Sequence, residues 1–312
     1  MPIPDYRGTV PPAEPASLMP LFAEIAKFKD AVLDVVILRG EDEKIRYYLG
    51  GRPEVVRMME GLLHAKGLEV QPAPVPQTGL IAVRLEAAKN PVYPLLEHID
   101  KPRIDPSMHL FSALTEGYGG VAARLKVDPF VKKWIAGWKA KVHAADPKKL
   151  EQKMAERARL AETRTAFPLL SCELRVFGDE NQVERIASSL PAESNCLKIY
   201  GPCPPEECTE GERVYSVNSW TFRSTARRMG LASLFVLWFL SATRLLASPF
   251  LFGIYSALYL AGLVYLTIRT RVPKPIVLSV NEFAFIFSFP TAPQYFPLEF
   301  SKSPFMPRTL ER

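Results

Sequence analysis

The stretch MGLASLFVLWFLSATRLLASPFLFGIYSALYLAGLVYLTI, residues 229–268, carries a single charge, Arg244, and no Asn, Gln, Asp, Glu, His or Lys. A bilayer-spanning helix needs about 20 apolar residues, with about 17 as the lower limit, so this stretch reads as a pair of spans, Leu231–Ala247 and Phe250–Ile268. The break falls at Ser248-Pro249, because proline removes a backbone donor and biases the preceding residue away from helix. Arg244, near the end of the first helix, can snorkel towards headgroups.

The flanks give an orientation. Arg223, Arg227 and Arg228 precede the pair, and Arg269, Arg271 and Lys274 follow it. By the positive-inside rule both chain ends are expected on the cytoplasmic side of a multi-pass protein of the cell membrane. The proline-rich arm at residues 1–20 shows no charged-then-apolar start of a cleaved signal. The alternative is a buried core hairpin of a large protein.

Outward from this stretch the sequence reads as an α+β region. Val32–Leu38 is a β-branched run, Ile45–Leu49 returns after the Gly40–Glu43 turn, and Pro53 opens a helix with an apolar face of Val55, Val56, Met59, Leu62 and Leu63. Gly67 caps it, and Leu68–Gln71 and Leu80–Leu85 are further strands, which makes a ferredoxin-like ββαββ block. A β-hairpin is expected over His109–Val127, turning at Glu116–Gly120. Leu170, Cys172, Leu174 and Val176 alternate with Glu173 and Arg175 as a half-buried strand. Asp179 and Gln182 then start a helix carrying Val183, Ile186 and Leu190, and Cys196–Tyr200 completes a βαβ block. After the apolar pair, Ile276–Leu278 is a short strand, and Ser279-x-x-Glu282 is a capping box.

These elements divide the chain into an arm (1–20), an α+β block (21–126), an inserted helical hairpin (127–164), a βαβ block with the approach to the membrane (165–228), the transmembrane hairpin (229–268) and a cytoplasmic end (269–312). In the inserted hairpin Phe130, Trp134, Trp138 and Val142 form one stripe, and Asp146-Pro147 opens the second helix. Between Lys126 and Arg164 eleven basic residues face five acids, an excess equal to the +6 of the whole chain. The basic surplus is therefore concentrated there. Lys132, Lys133, Lys139, Lys148, Lys149 and Arg157 would form a solvated outer face, a surface for anionic lipid headgroups, or a phosphate-binding arm for nucleic acid.

Other function classes are thinly supported. No glycine begins a GxxxxGK[ST] loop, and no HExxH, GxSxG or catalytic CxxC occurs, so nucleotide hydrolysis by this chain is not expected. Cys196, Cys203 and Cys208 lack metal-ligand spacing, and no metal or cofactor is expected. Cys203 and Cys208, bracketing Pro204-Pro205, are the candidate disulfide, with free thiols as the default. Twenty-nine prolines against five Asn and five Gln lean towards a thermophilic source, where intracellular disulfides do occur.

The segment Phe167–Ile199, including Glu173, Arg175 and Asn195-x-Leu197, together with Leu278-Ser279-x-x-Glu282-x-Ala284 and Pro290, resembles the region ahead of the motor in archaeal and Gram-positive type IV secretion ATPases of the HerA/FtsK superfamily. Val36–Leu63 is similar to the start of that region. The resemblance covers most of the chain on short motifs. It implies a non-enzymatic, membrane-bound component of a DNA-transfer or secretion machine that docks a separate HerA-type ATPase and meets DNA, since the family's motor would begin beyond Arg312. The runner-up is a membrane scaffold with protein partners only, its own copies included. A membrane-bound enzyme whose site no motif reveals is the third.

Overall fold

The computed structural model describes residues 5–9, 19–28, 31–40, 42–65, 68, 70–73, 81–88, 106–127, 129–143, 159, 162, 165–190, 197–203, 217–245, 249–269 and 273–290. The chain forms two compact units, 1–216 with 275–312, and 217–274.

The first unit is α+β. Its nine strands are β1 (Asp5–Thr9), β2 (Val32–Arg39), β3 (Ile45–Gly51), β4 (Val70–Pro72), β5 (Ile81–Ala87), β6 (Gly119–Val127), β7 (Leu169–Gly178), β8 (Leu197–Cys203) and β9 (Ile276–Ser279). They form one antiparallel sheet, eight of them in the order β4-β1-β3-β2-β6-β7-β5-β8 and β9 off this path against β7. The two expected blocks are therefore merged. β4 pairs with β1 of the arm, while β5 leaves the first block and sits between β7 and β8. β7 is the spine: β6 runs along one side, and the other side is shared by β5 at Arg175–Gly178 and β9 at Leu169–Cys172.

Register explains the core. Leu33, Leu125, Cys172 and Ile276 align across four strands, as do Val35, Ala123 and Leu174 one step along, so one face is a continuous apolar surface. Five helices supply its cover: α1 (Met19–Ile25), α2 (Pro53–Ala65), α3 (Pro106–Thr115), α5 (Glu180–Ser189) and α8 (Val280–Phe287), with α4 (Pro129–His143) packed against β7 outside the main cluster. α2 buries Val55, Val56, Met59 and Leu63, a single 3.6-period face. Asp179 caps α5, its carboxylate accepting from the Gln182 N–H at 2.7 Å. α8 opens with the capping box: the Glu282 N–H donates to Ser279 Oγ at 3.2 Å and the Ser279 N–H to Glu282 Oε2 at 2.7 Å.

The last described segment locks the unit. Phe283 and Phe287 of α8 stack with centroids 4.5 Å apart, Phe283 meets Phe22 edge-on, and Tyr47 donates its hydroxyl hydrogen to the Ser288 carbonyl at 2.9 Å. β9 and α8 follow the second unit in sequence, so residues 217–274 are an insertion into a sheet completed afterwards.

Two local expectations change. His109–Leu114, read as one arm of a β-hairpin, is helical in α3; the run is too short for periodicity to separate strand from buried helix, and Pro106 at the first helical position was the overlooked signal. The proline-rich arm contains β1, which pairs with both β3 and β4. Gly51 at the end of β3 has φ +138°, and a Cβ there would lie 2.4 Å from the Val32 carbonyl oxygen, so only glycine fits.

The second unit consists of α6 (Val217–Leu245) and α7 (Pro249–Arg269), with the helix boundary at the Ser248-Pro249 break. Among the described residues, no helix is long and apolar enough to cross a membrane. That overturns the expected pair of transmembrane spans and the multi-pass membrane localisation with cytoplasmic ends drawn from it. α6 gives the physical reason. Arg223, Arg227 and Arg228, read as a cuff outside the span, lie inside the helix, and the apolar run between Arg228 and Arg244 falls short of the about 17 residues a span needs.

Candidate functional site

The second face of the sheet is where charge gathers. Polar residues alternate with the core-facing ones along β2, β6, β7 and β5, and the register sets Asp34 opposite Arg124 and Arg124 opposite Glu173, with Arg175 opposite Arg84 in the next row. Arg124 grips Asp34 in a two-point fork, Nε to Oδ1 at 2.6 Å and Nη2 to Oδ2 at 2.9 Å. Glu173 Oε1 accepts three hydrogen bonds, from Arg84 Nη2 at 2.6 Å, Arg175 Nε at 2.9 Å and Arg175 Nη2 at 2.7 Å. Its other oxygen, Oε2, is buried with no hydrogen-bond partner among the described residues. Further along, Lys198 reaches Glu86 at 3.0 Å, and Glu86 is 1% exposed.

Asp34, Val36, Ala122, Ala123, Arg124, Glu173 and Arg175 line a cavity of about 20 Å³, room for roughly one water. Among the described residues no Ser, Thr, Cys, His or Lys side chain lines it. Guanidinium groups do not give up protons in proteins, so proton transfer or nucleophilic attack here would fall to the carboxylates, and both Asp34 oxygens and Glu173 Oε1 are held by arginines. Cys172 lies on the opposite face of β7. Burial, and then the neighbouring Glu173 carboxylate, push its thiol well above the usual value, which makes it unreactive. Among the described residues no group of His, Cys, Asp and Glu could hold a metal ion. A larger groove of about 270 Å³ lies beside β8, lined by Leu85, Leu190, Leu197 and Ile199 with Glu184 and Lys198.

The basic residues expected on the inserted hairpin are only partly in view. Lys132 and Lys133 are exposed on α4, whose Val131 and Ile135 are fully buried. Lys139 lies within α4 with its side chain outside the described set, and Lys148, Lys149 and Arg157 are outside the described residues altogether. Arg223 and Arg228 are exposed on α6 and Arg227 is half-buried, whereas the side chains of Arg244 and Arg269, and Arg271 entirely, are outside the described set; Lys274 is half-buried. Cys203 ends β8, but its side chain and the whole of Cys208 lie outside the described residues, so the candidate disulfide does too.

The second unit has the opposite character. On α6 the less exposed positions are Arg227, Leu231, Leu234, Trp238 and Ala242, and on α7 they are Phe252, Tyr255, Ser256, Tyr259 and Leu263. Each set repeats every three to four residues, which makes one narrow seam per helix. Trp238 closes it, stacking near Phe252 and Tyr259 at 6.4 and 5.8 Å. Large apolar side chains off the seam point outward, among them Phe235, Leu237, Phe239, Phe250, Leu258 and Leu260, each more than half exposed. The sequence marks this stretch as apolar, but only the fold shows how little of it one chain covers. The buried ladder was missed because Asp34, Glu173 and Arg175 look like solvent-side members of half-buried strands; a lone Asp within Val32–Leu38 is the one available signal.

No protein-family model and no curated protein matches this chain. Of the residues on which a HerA/FtsK-type region was expected, Glu173 and Arg175 are buried ladder members and Ser279 and Glu282 form the cap of α8.

Proposed function

We propose that this chain is a non-enzymatic assembly subunit, an α+β platform that presents a helical hairpin to a partner protein. One observation carries the reading: the hairpin leaves large apolar side chains on nearly every side, with Phe239 57% and Leu258 69% exposed. Contiguous apolar surface of this kind marks an interaction site, and helices apolar all round are buried in their working state.

The identity of the partner follows from the resemblance. A separate HerA-type ATPase of a DNA-transfer or secretion machine docks on the hairpin, and Lys132 and Lys133 contribute to a DNA-facing side of α4. The test is co-purification of the full chain with a HerA-type motor, read by size-exclusion chromatography with light scattering. A stable complex is expected, lost in the pair Phe239→Asp and Leu258→Asp and retained in Lys132→Gln/Lys133→Gln. Absence of any complex with the motor, or nucleotide turnover by the chain alone, would refute the proposal.

A further inference from the structure

We infer that the buried charge cluster of the sheet is a binding site for one resident water molecule, which donates one hydrogen bond to Glu173 Oε2 and the other to Asp34. Glu173 is 6% exposed, and its Oε1 accepts from Arg84 and Arg175, whereas Oε2 is buried with no hydrogen-bond partner among the described residues. Glu173 and Asp34 line the same cavity, walled by the apolar Val36, Ala122 and Ala123 and by Arg124 and Arg175. That cavity measures about 20 Å³, enough for one water, which needs about 10–15 Å³ of such space, and too small for an organic ligand.

Chemistry selects the occupant. A carboxylate oxygen only accepts, so the group against Oε2 must donate, and a buried acceptor left without a donor is costly. A halide ion of similar size also only accepts and would be repelled by both carboxylates. A metal ion would lie beside two guanidinium groups, and among the described residues no cluster of His, Cys, Asp and Glu could hold one. Water donates twice without adding charge. Asp34 has capacity for the second bond, because each of its oxygens takes one N–H from Arg124 and a carboxylate offers about four acceptor positions. Asp34 stands opposite Arg124 and Arg124 opposite Glu173, so this water ties β2 to β7 across the strand between them.

A crystal structure of the full chain, at a resolution that shows ordered waters, tests the site. The expected result is one isolated density peak in the cavity, about 2.7–2.8 Å from Glu173 Oε2 and from an Asp34 oxygen. A cavity without density, an Oε2 bonded to another protein group, or a peak that exchanges for bromide would each overturn the assignment. In solution, magnetic relaxation dispersion of the water oxygen counts long-lived internal waters. Ala122→Val fills the cavity with methyl groups, so it should remove one such water and lower the folded-to-unfolded ratio about tenfold, because Oε2 loses its donor. An unchanged water count, or an Ala122→Val chain as stable as the original, would mean that no water bridges the two carboxylates.

Discussion

The sheet unit hides its charges, and the helical hairpin shows its oil. In the first, Asp34, Arg84, Arg124, Glu173 and Arg175 are nearly enclosed and held by forked or shared hydrogen bonds, while the apolar residues of the same strands face a helix-covered core. In the second, the charges are all of one sign and apolar side chains are exposed on both helices. Enclosed charges require a closed set of partners, and the sheet supplies many of them through register. Exposed apolar helices call for cover that the described residues of their own unit do not supply. The first unit therefore reads as self-sufficient, and the second as one half of an interface.

The largest break in that comparison should come at Glu173. It is 6% exposed and bridges Arg84 and Arg175, so Glu173→Ala removes the shared acceptor from two buried guanidinium groups. Removing one member of a buried ion cluster typically costs about 3–5 kcal/mol, well above the median of an exposed pair. Urea unfolding followed by circular dichroism should show the midpoint fall accordingly. A loss below about 1 kcal/mol would mean that the ladder is solvated and the contrast between the units is false.

How far such features can be read from the sequence depends on the range of the interactions that make them. The Ser279–Glu282 box and the Asp179 cap are legible because both partners lie within one turn, and each places a helix start where the structure has it. The alternation in β7 is legible as strand, but not as strand enclosed on both faces. Arg84 and Glu173 are 89 residues apart and meet only because β5 inserts beside β7, a crossover with no local signature. The helical nature of α3 was lost to a short apolar run, and β1 was masked by prolines on either side of it. In the hairpin the composition overstated the case, because apolar content was read as two spans while α6 has Arg223, Arg227 and Arg228 folded into its second to fourth turns. The hairpin was thus visible as apolar sequence and misread as a pair of membrane spans.

A middle-sized effect tests whether the segment after the hairpin truly finishes the sheet unit. Ser279 is fully buried, ends β9 and caps α8, whose phenylalanines fill the core. Ser279→Ala deletes the acceptor for the Glu282 N–H and should cost about 1 kcal/mol, in the usual range for an N-cap. Thermal unfolding of the full chain is the readout. An unchanged midpoint would mean that α8 adds little to the unit, and that the hairpin stands at the end of a finished fold and not within it.

The smallest expected effect is the most discriminating. Leu258 is apolar, helical and surrounded by apolar neighbours, which in the sheet unit would mark a residue whose loss costs several kcal/mol. On α7 it is 69% exposed and lies off the seam that Trp238 closes. Leu258→Ser should therefore shift the unfolding midpoint of the isolated protein by no more than about 0.5 kcal/mol equivalent, the range for surface positions away from special features. The same substitution should weaken partner binding strongly, because it places a hydroxyl in the middle of the surface that is buried only in the complex. The two measurements pull apart only if the hairpin's burial is supplied from outside the chain. A large loss of stability in the isolated protein would place Leu258 in an internal contact, and the difference between the two units would then be one of degree.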